Sequence, residues 1–103
     1  MKKIKIKINR RVKPFSIAIA RRILEAVERE SKETLEKYRK EFADLVTEFR
    51  FKLEEAVGPD KTIWLTVVLV VDDDGRPIKI YAKDIRIVET IVKPLDVKVE
   101  VSI

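Results

Sequence analysis

The spacing of apolar residues divides this chain into one strand, one long amphipathic segment and an antiparallel meander. Residues 2–8 alternate Lys with Ile, which predicts a half-buried strand with its lysines in water. From Ile17 to Val57 the apolar positions instead recur every three or four residues, and no Gly or Pro interrupts them. At 100° per residue they share a sector roughly 80° wide, which predicts one helix of roughly 40 residues, about 60 Å long. The residues in this sector are Ile17, Ala20, Leu24, Val27, Leu35, Tyr38, Phe42, Leu45, Phe49, Leu53 and Ala56.

Residues that mark the start and the end of a helix flank this segment, and one irregular residue lies inside it. Pro14 and Ser16 predict its start, and residues 58–60 (Gly-Pro-Asp) predict its end. Ser31 lies at the centre of the apolar stripe. It is either a small residue beneath a close-passing backbone or the N-cap of a second helix, with Glu33 in the new first turn. Because the apolar phase is kept across Ser31, we expect a continuous helix.

The second half of the chain predicts two strands joined by a tight turn. Residues 62–71 predict a strand that is apolar on one face and nearly dry on the other. Residues 72–75 (Asp-Asp-Asp-Gly) predict a hairpin turn, with Gly75 in the left-handed conformation. Residues 76–93 contain no turn signal, but their apolar parity flips near residues 83–84, which predicts a β-bulge and a bent strand.

The C-terminal residues predict a further turn and a last strand. Residues 93–96 (Lys-Pro-Leu-Asp) predict the turn, and residues 97–103 alternate cleanly. We expect the long strand to pair first with residues 62–71 and, in its last part, with residues 97–103. The whole chain, 1–103, is then a single α+β domain of order β-α-β-β-β. One long helix packs on a curved, bulged antiparallel sheet.

This order of elements resembles the cystatin-like topology, in which a strand and a helix precede a curved antiparallel meander. The resemblance covers element order along the whole chain and brings no sequence motif. The inhibitory loop of cystatins, a Gln-Val-Val-Ala-Gly-like segment, has no match here, so the resemblance does not imply protease inhibition.

Composition excludes several kinds of chemistry. Cys and His are absent, which removes thiolate chemistry, the commonest general base and the commonest transition-metal ligand, and leaves the three serines without a partner base. Two glycines are too few for glycine-rich phosphate loops. In a calcium-loop alignment Asp72 and Asp74 would be ligands, but Val70 and Tyr81 occupy two other ligand positions, so we interpret the segment as an acidic turn. We expect no catalytic, cofactor-binding or metal-binding residue, no cofactor, and no enzymatic activity.

Positive charge is concentrated at the start of a chain with a net charge of +5. The first 22 residues contain no acid and nine basic residues: Lys2, Lys3, Lys5, Lys7, Arg10, Arg11, Lys13, Arg21 and Arg22. Such asymmetry is a hint of nucleic acid or another anionic partner, although lysines on an edge strand also prevent aggregation. Trp64 and Tyr81 would lie on the outer sheet face near Lys79, Lys83 and Lys5, an arrangement that can stack bases. The longest nearly apolar run, residues 63–71, is too short to span a membrane.

The regularity of the pattern predicts the class of protein. Clean strand alternation, ordered i,i+4 pairs, rule-following turns and a lack of Cys, His and Gln are typical of de novo designed proteins. We therefore expect a thermostable structural scaffold without natural activity. The alternative is a small basic nucleic-acid-binding or structural protein from a hyperthermophile or its virus. Because strands of ten residues, about 34 Å, cannot cover a helix of about 60 Å, we also expect a homodimer.

Overall fold

The structure, a computed structural model, describes residues 1–12, 17–58, 61–89 and 92–103. An antiparallel sheet with strand order β1-β2-β3-β4, to which β5 adds by pairing with β3, packs against helices on one face. The mixed α+β class and the antiparallel sheet are therefore confirmed. In chain order the elements of the described residues are β1 (Lys2–Val12), α1 (Ile17–Glu30), α2 (Lys32–Lys37), α3 (Arg39–Val57), β2 (Lys61–Val71), β3 (Pro77–Val88), β4 (Val92–Pro94) and β5 (Glu100–Ser102).

The inner face of the sheet follows directly from residue alternation. β1 and β2 pair along their whole length, from Lys2 opposite Val71 to Val12 opposite Lys61. The inward residues of β2 are at most 4% exposed: Ile63, Leu65, Val67, Leu69 and Val71. Ile6 and Ile8 of β1 are buried beside them, while the lysines between are exposed, which confirms the predicted half-buried strand.

β3 contains the predicted bulge. Opposite Leu65 it contributes two residues, Asp84 and Ile85, where regular pairing has one. Asp84 has φ 54°, in the left-handed region that Asp tolerates better than most residues with a Cβ. The extra residue returns Ile85 to the buried face, which confirms the bulge predicted from the parity flip.

The acidic hairpin turn also forms as predicted. Gly75 has φ 88°, and its N–H donates to the Asp72 carbonyl at 3.0 Å. Oδ1 of Asp72 accepts from the backbone N–H groups of Asp74 and Arg76, both at 2.9 Å. The turn rests on α2, since a Cβ on Gly75 would lie 2.5 Å from Cγ2 of Thr34.

The predicted course of the chain after β3 is wrong. Val88 pairs with Val92, so the chain reverses there, and β4 includes part of the turn predicted at residues 93–96. The sequence between Val88 and Val92, Glu-Thr-Ile at positions 89–91, carries none of the Gly, Pro or Asn signals on which a turn prediction depends. Residues 90 and 91 lie outside the described residues.

The return strand is interrupted beside the bulge. The Leu95 N–H donates to the Ile85 carbonyl at 2.8 Å, and the Ala82 N–H donates to the Val99 carbonyl at 3.0 Å. Between these bonds the return chain makes no regular strand, and β5 then pairs with residues 79–81, the first half of β3. The expected pairing of residues 97–103 with the last part of β3 is therefore wrong.

The single continuous helix is also wrong. Ser31 adopts an extended conformation (φ −163°, ψ 106°), and its Oγ accepts from the Thr34 N–H at 3.2 Å. This is the N-cap geometry that the sequence offered as the alternative. Tyr38 (φ −117°, ψ 31°) makes a second break, between α2 and α3. At the end of α3, Gly58 has φ 90° and confirms the predicted helix end, whereas Pro14, Ser16 and residues 59–60 lie outside the described residues.

The break lets two helices bury different faces. α1 buries Ile19, Ile23 and Val27, whereas α3 buries Phe42, Leu45, Val46, Phe49 and Leu53. On an uninterrupted helix these faces would be roughly 100° apart. α1 packs against β1, and α3 packs against β3 and β5. The longest dimension of the molecule is 43 Å, so the expected rod of about 60 Å does not exist.

Candidate functional site

The outer face of the sheet, turned away from the helices, presents two columns of cationic side chains. Between these two columns lie the outward-facing residues of β2: Trp64, Thr66, Val68 and Val70. The register places Lys3, Lys5 and Lys7 of β1 on one side and Lys79, Lys83 and Arg86 of β3 on the other. Because neighbouring strands are about 4.8 Å apart, the two columns are separated by about 10 Å.

Two carboxylates and two aromatic rings share this face. Glu100 of β5 lies 3.7 Å from Nζ of Lys79, and the same ammonium lies 5.3 Å from the ring centroid of Tyr81. Asp84 lies at the bulge. The structure thus brings together the five residues that the sequence grouped, namely Trp64, Tyr81, Lys79, Lys83 and Lys5. Lys3 and Lys7, which have the same strand parity as Lys5, lie on this face too, and the bulge adds Arg86 opposite Trp64.

The nine basic residues of the N-terminal segment do not form one surface. Lys2 points away from the outer face and pairs with Glu30 of α1. Arg21 and Arg22 belong to α1, on the opposite layer. Lys13 lies outside the described residues, as do the side chains of Arg10 and Arg11. Positive charge on the sheet therefore comes from alternate residues of two strands, and the basic N-terminal run is not itself the surface.

The apolar residues of the outer face need no additional layer. Val68 is 0% exposed and Val70 is 6% exposed, although both point away from the helices. Val68 lies between Lys5 and Tyr81 in the register, and Val70 lies between two further lysines. The long stems of these neighbours cover the valines while their polar ends reach water. The two valines therefore leave little exposed apolar area for a second layer to cover.

A depression of about 490 Å³ opens beside Trp64. Its polar lining comes from all three long strands and comprises Lys7, Asn9, Thr66, Asp84 and Arg86. It adjoins the bulge, where the two residues of β3 opposite Leu65 disrupt regular pairing. Trp64 is 38% exposed here, so one large aromatic ring is accessible from solvent.

The helical layer has an apolar groove of its own, of about 480 Å³. Its floor is formed by Ile17, Ala20, Leu24, Leu35 and Ala43, and both arginines and glutamates line its sides: Arg21, Arg39, Glu25 and Glu28. Ile17 is 61% exposed at one end. This is the end of the apolar stripe that the break at Ser31 leaves uncovered by the sheet.

The acidic turn is arranged as a structural turn. Asp72 uses Oδ1 to hold its own turn, as a structural turn residue does. Within the described ranges, no group of three or more Asp and Glu residues is arranged to hold a metal ion. No helix in that part of the chain is long and apolar enough to cross a membrane.

In the described part of the chain, the outer sheet face with its depression and the helical groove are the candidate functional surfaces. No protein-family model, curated protein or solved structure matches this chain.

Proposed function

We propose that this chain is a de novo designed, thermostable structural scaffold that forms a homodimer and has no catalytic activity. The observation that supports the proposal is the agreement between local sequence signals and tertiary positions. Ser31 caps a helix, Gly75 occupies a left-handed turn position, and Asp84 occupies the bulge. Sequences chosen for an idealised backbone show this consistency between levels.

Equilibrium unfolding of the isolated chain tests the scaffold proposal. We expect one reversible, cooperative transition with a midpoint above about 5 M guanidinium chloride or a Tm above about 90 °C. Circular dichroism and the fluorescence of Trp64 should report the same transition. A chain that folds only when a ligand or partner is added would contradict the proposal.

The helical groove supports the homodimer, although the long helix that first suggested it does not exist. Ala20 and Ala43 permit close approach of a second helix, and Ile17 would lose exposed apolar area in the interface. Arg21 and Glu28 of α1 both line the groove, about two helical turns apart. In a two-fold dimer, Arg21 of one copy can therefore lie opposite Glu28 of the other.

Light scattering at micromolar concentration tests the dimer. We expect about twice the chain mass of 12.0 kDa. Ile17→Glu should give the monomer mass because it places a charge in the apolar groove. The matched control is Phe51→Glu, which changes another exposed apolar residue, 44% exposed and outside the groove. A single species of monomer mass for the unmodified chain would rule out the dimer.

The second candidate function is binding of a nucleic acid or another polyanion by the outer sheet face. The observation that favours it is the alignment of six cations in two columns. Two carboxylates on the same face, those of Glu100 and Asp84, offset only part of this positive charge. Phosphate contacts from Lys and Arg supply most sequence-independent affinity for nucleic acids.

Salt dependence and charge reversal test this candidate. If all six cations contact phosphates, log affinity should fall with log salt with a slope of about −4 for a single strand. Replacing the three β1 lysines Lys3, Lys5 and Lys7 by Glu should abolish binding. The matched control replaces Arg29, Lys32 and Lys40 of the helical layer by Glu, which changes the net charge equally, from +5 to −1. Equal losses in both triple variants would show that net charge, and not this face, drives binding.

A further inference from the structure

We infer that the depression beside Trp64 binds an unpaired nucleobase, which stacks on the indole while the adjacent cations hold its phosphates. The inference rests on the second candidate function and deepens it. It assigns the outer sheet face to single-stranded nucleic acid in preference to duplexes and to polyanions without bases.

The bulge creates the space that such a base requires. Opposite Leu65, β3 contributes Asp84 and Ile85, and the positive φ of Asp84 turns the strand out of regular pairing. The resulting depression of about 490 Å³ lies within the usual size range of small-molecule sites.

The lining of the depression suits a base better than a phosphate. The exposed part of Trp64 offers a flat apolar ring, and stacking on such a ring is worth about 1–3 kcal/mol per base. The carboxylate of Asp84 lines the same depression, where it would repel a phosphate but accept a hydrogen bond from an N–H group of a base, such as N3–H of thymine. Lys7 and Arg86, from the strands on either side of Trp64, provide positive charge at the margins.

The geometry also favours a single strand over a duplex. In a duplex the base faces are stacked inside the helix, and only groove edges and phosphates reach a protein surface. A duplex could contact the lysine columns but could not place a base on Trp64. Duplex binding should therefore depend on the cations alone, whereas single-strand binding should depend on the cations and the indole together.

Trp64 is the only tryptophan in the chain, so its fluorescence reports stacking directly. The experiment titrates the protein at low salt with oligo-dT, with a duplex of equal charge, and with inorganic polyphosphate, which carries phosphates but no base. We expect oligo-dT to quench the fluorescence and polyphosphate to bind without quenching. Binding is measured separately by calorimetry, so a silent interaction is still detected.

Substitution of the indole provides a second measurement. Trp64→Ala should weaken oligo-dT binding roughly 5- to 150-fold while polyphosphate binding changes less than about twofold. Trp64→Phe should recover part of the loss. Phe51→Ala is the matched control, because it removes an exposed aromatic ring from the helical layer and should change neither affinity.

Each outcome has a distinct meaning. Quenching by oligo-dT alone, with a selective loss in Trp64→Ala, supports the stacking site. Binding of all three ligands without quenching, or equal losses for oligo-dT and polyphosphate in Trp64→Ala, would overturn the stacking site but leave the polyanion face intact. Absence of binding to every ligand would overturn both.

Discussion

Substitution of Gly75 by Ala tests the contact between the hairpin turn and α2. Gly75 has φ 88°, and an added Cβ would lie 2.5 Å from Cγ2 and 2.9 Å from Oγ1 of Thr34. The Cβ of Thr34 would itself be 3.3 Å away. Since both γ atoms face Gly75, rotation of Thr34 about χ1 cannot remove both from that side. The clash must therefore be relieved by moving the turn or the helix.

The expected loss of stability has two parts. A residue with a Cβ in the left-handed region costs about 1–2 kcal/mol. Forcing extra volume into a close contact costs about 1–3 kcal/mol more. Gly75→Ala should therefore lower the free energy of unfolding by about 2–5 kcal/mol, a large fraction of the 5–15 kcal/mol typical of domains of this size.

Gly58→Ala separates the two parts. Gly58 has a similar φ of 90°, but an added Cβ there would meet no atom within 4 Å. This variant should lose stability through backbone strain alone, about 1–3 kcal/mol, because ψ 156° places Gly58 in a region that is open almost only to glycine. In a Thr34→Ala background, which removes both γ atoms, the loss from Gly75→Ala should shrink by about 1–3 kcal/mol, whereas the loss from Gly58→Ala should not change.

Guanidinium chloride unfolding followed by Trp64 fluorescence and far-ultraviolet circular dichroism measures all six proteins: the parent, the three single variants and the two double variants. The free energies of unfolding then give the coupling between positions 34 and 75 and, as control, between 34 and 58. If Gly75→Ala loses the same stability in the parent and in the Thr34→Ala background, the turn does not rest on α2 and the reasoning is refuted.

Substitutions at three further positions test the helix break, the core and the bulge by the same unfolding assay. Ser31→Ala should lose about 1 kcal/mol because the Thr34 N–H loses its capping oxygen, and an unchanged midpoint would contradict the cap. Phe42→Ala should lose about 3–5 kcal/mol because it empties a fully buried position, and a loss below about 1 kcal/mol would place Phe42 outside the core. Asp84→Gly should stay within about 1 kcal/mol of the parent, whereas Asp84→Val should lose about 1–2 kcal/mol, since only Gly accepts φ 54° without strain. Equal stability of the two position-84 variants would contradict the left-handed bulge.

Features that depend on residues adjacent in the sequence were predictable from the sequence alone. The Lys-Ile alternation predicted β1, because side chains of a strand alternate between faces whatever surrounds it. The acidic turn and Gly75 were predictable because a positive φ excludes most residues with a Cβ. The bulge was predictable because burial of Ile85 requires a parity change that regular pairing cannot supply.

Features that depend on packing were decided by the tertiary structure. Ser31 is compatible with a helix interior and with an N-cap. The apolar pattern across Ser31 also fits both, because Ile19 and Ile23 give α1 a second apolar face, roughly 100° from the buried face of α3. Burying both faces on one curved sheet, in a molecule 43 Å long, requires the break. The reversal after Val88 was likewise decided by the pairing of β4 with β3, because the sequence at positions 89–91 carries no turn signal.

The candidate site divides in the same way. The sequence alone placed the two aromatics and three of the lysines on one sheet face, because parity assigns each residue of a strand to a face. The two columns of cations and the depression beside Trp64 exist only through register, since a slip of one residue in β1 would turn Lys3, Lys5 and Lys7 toward the helices. Register is set by the burial of Ile6 and Ile8 in the common core, which is a property of the whole fold and not of either strand.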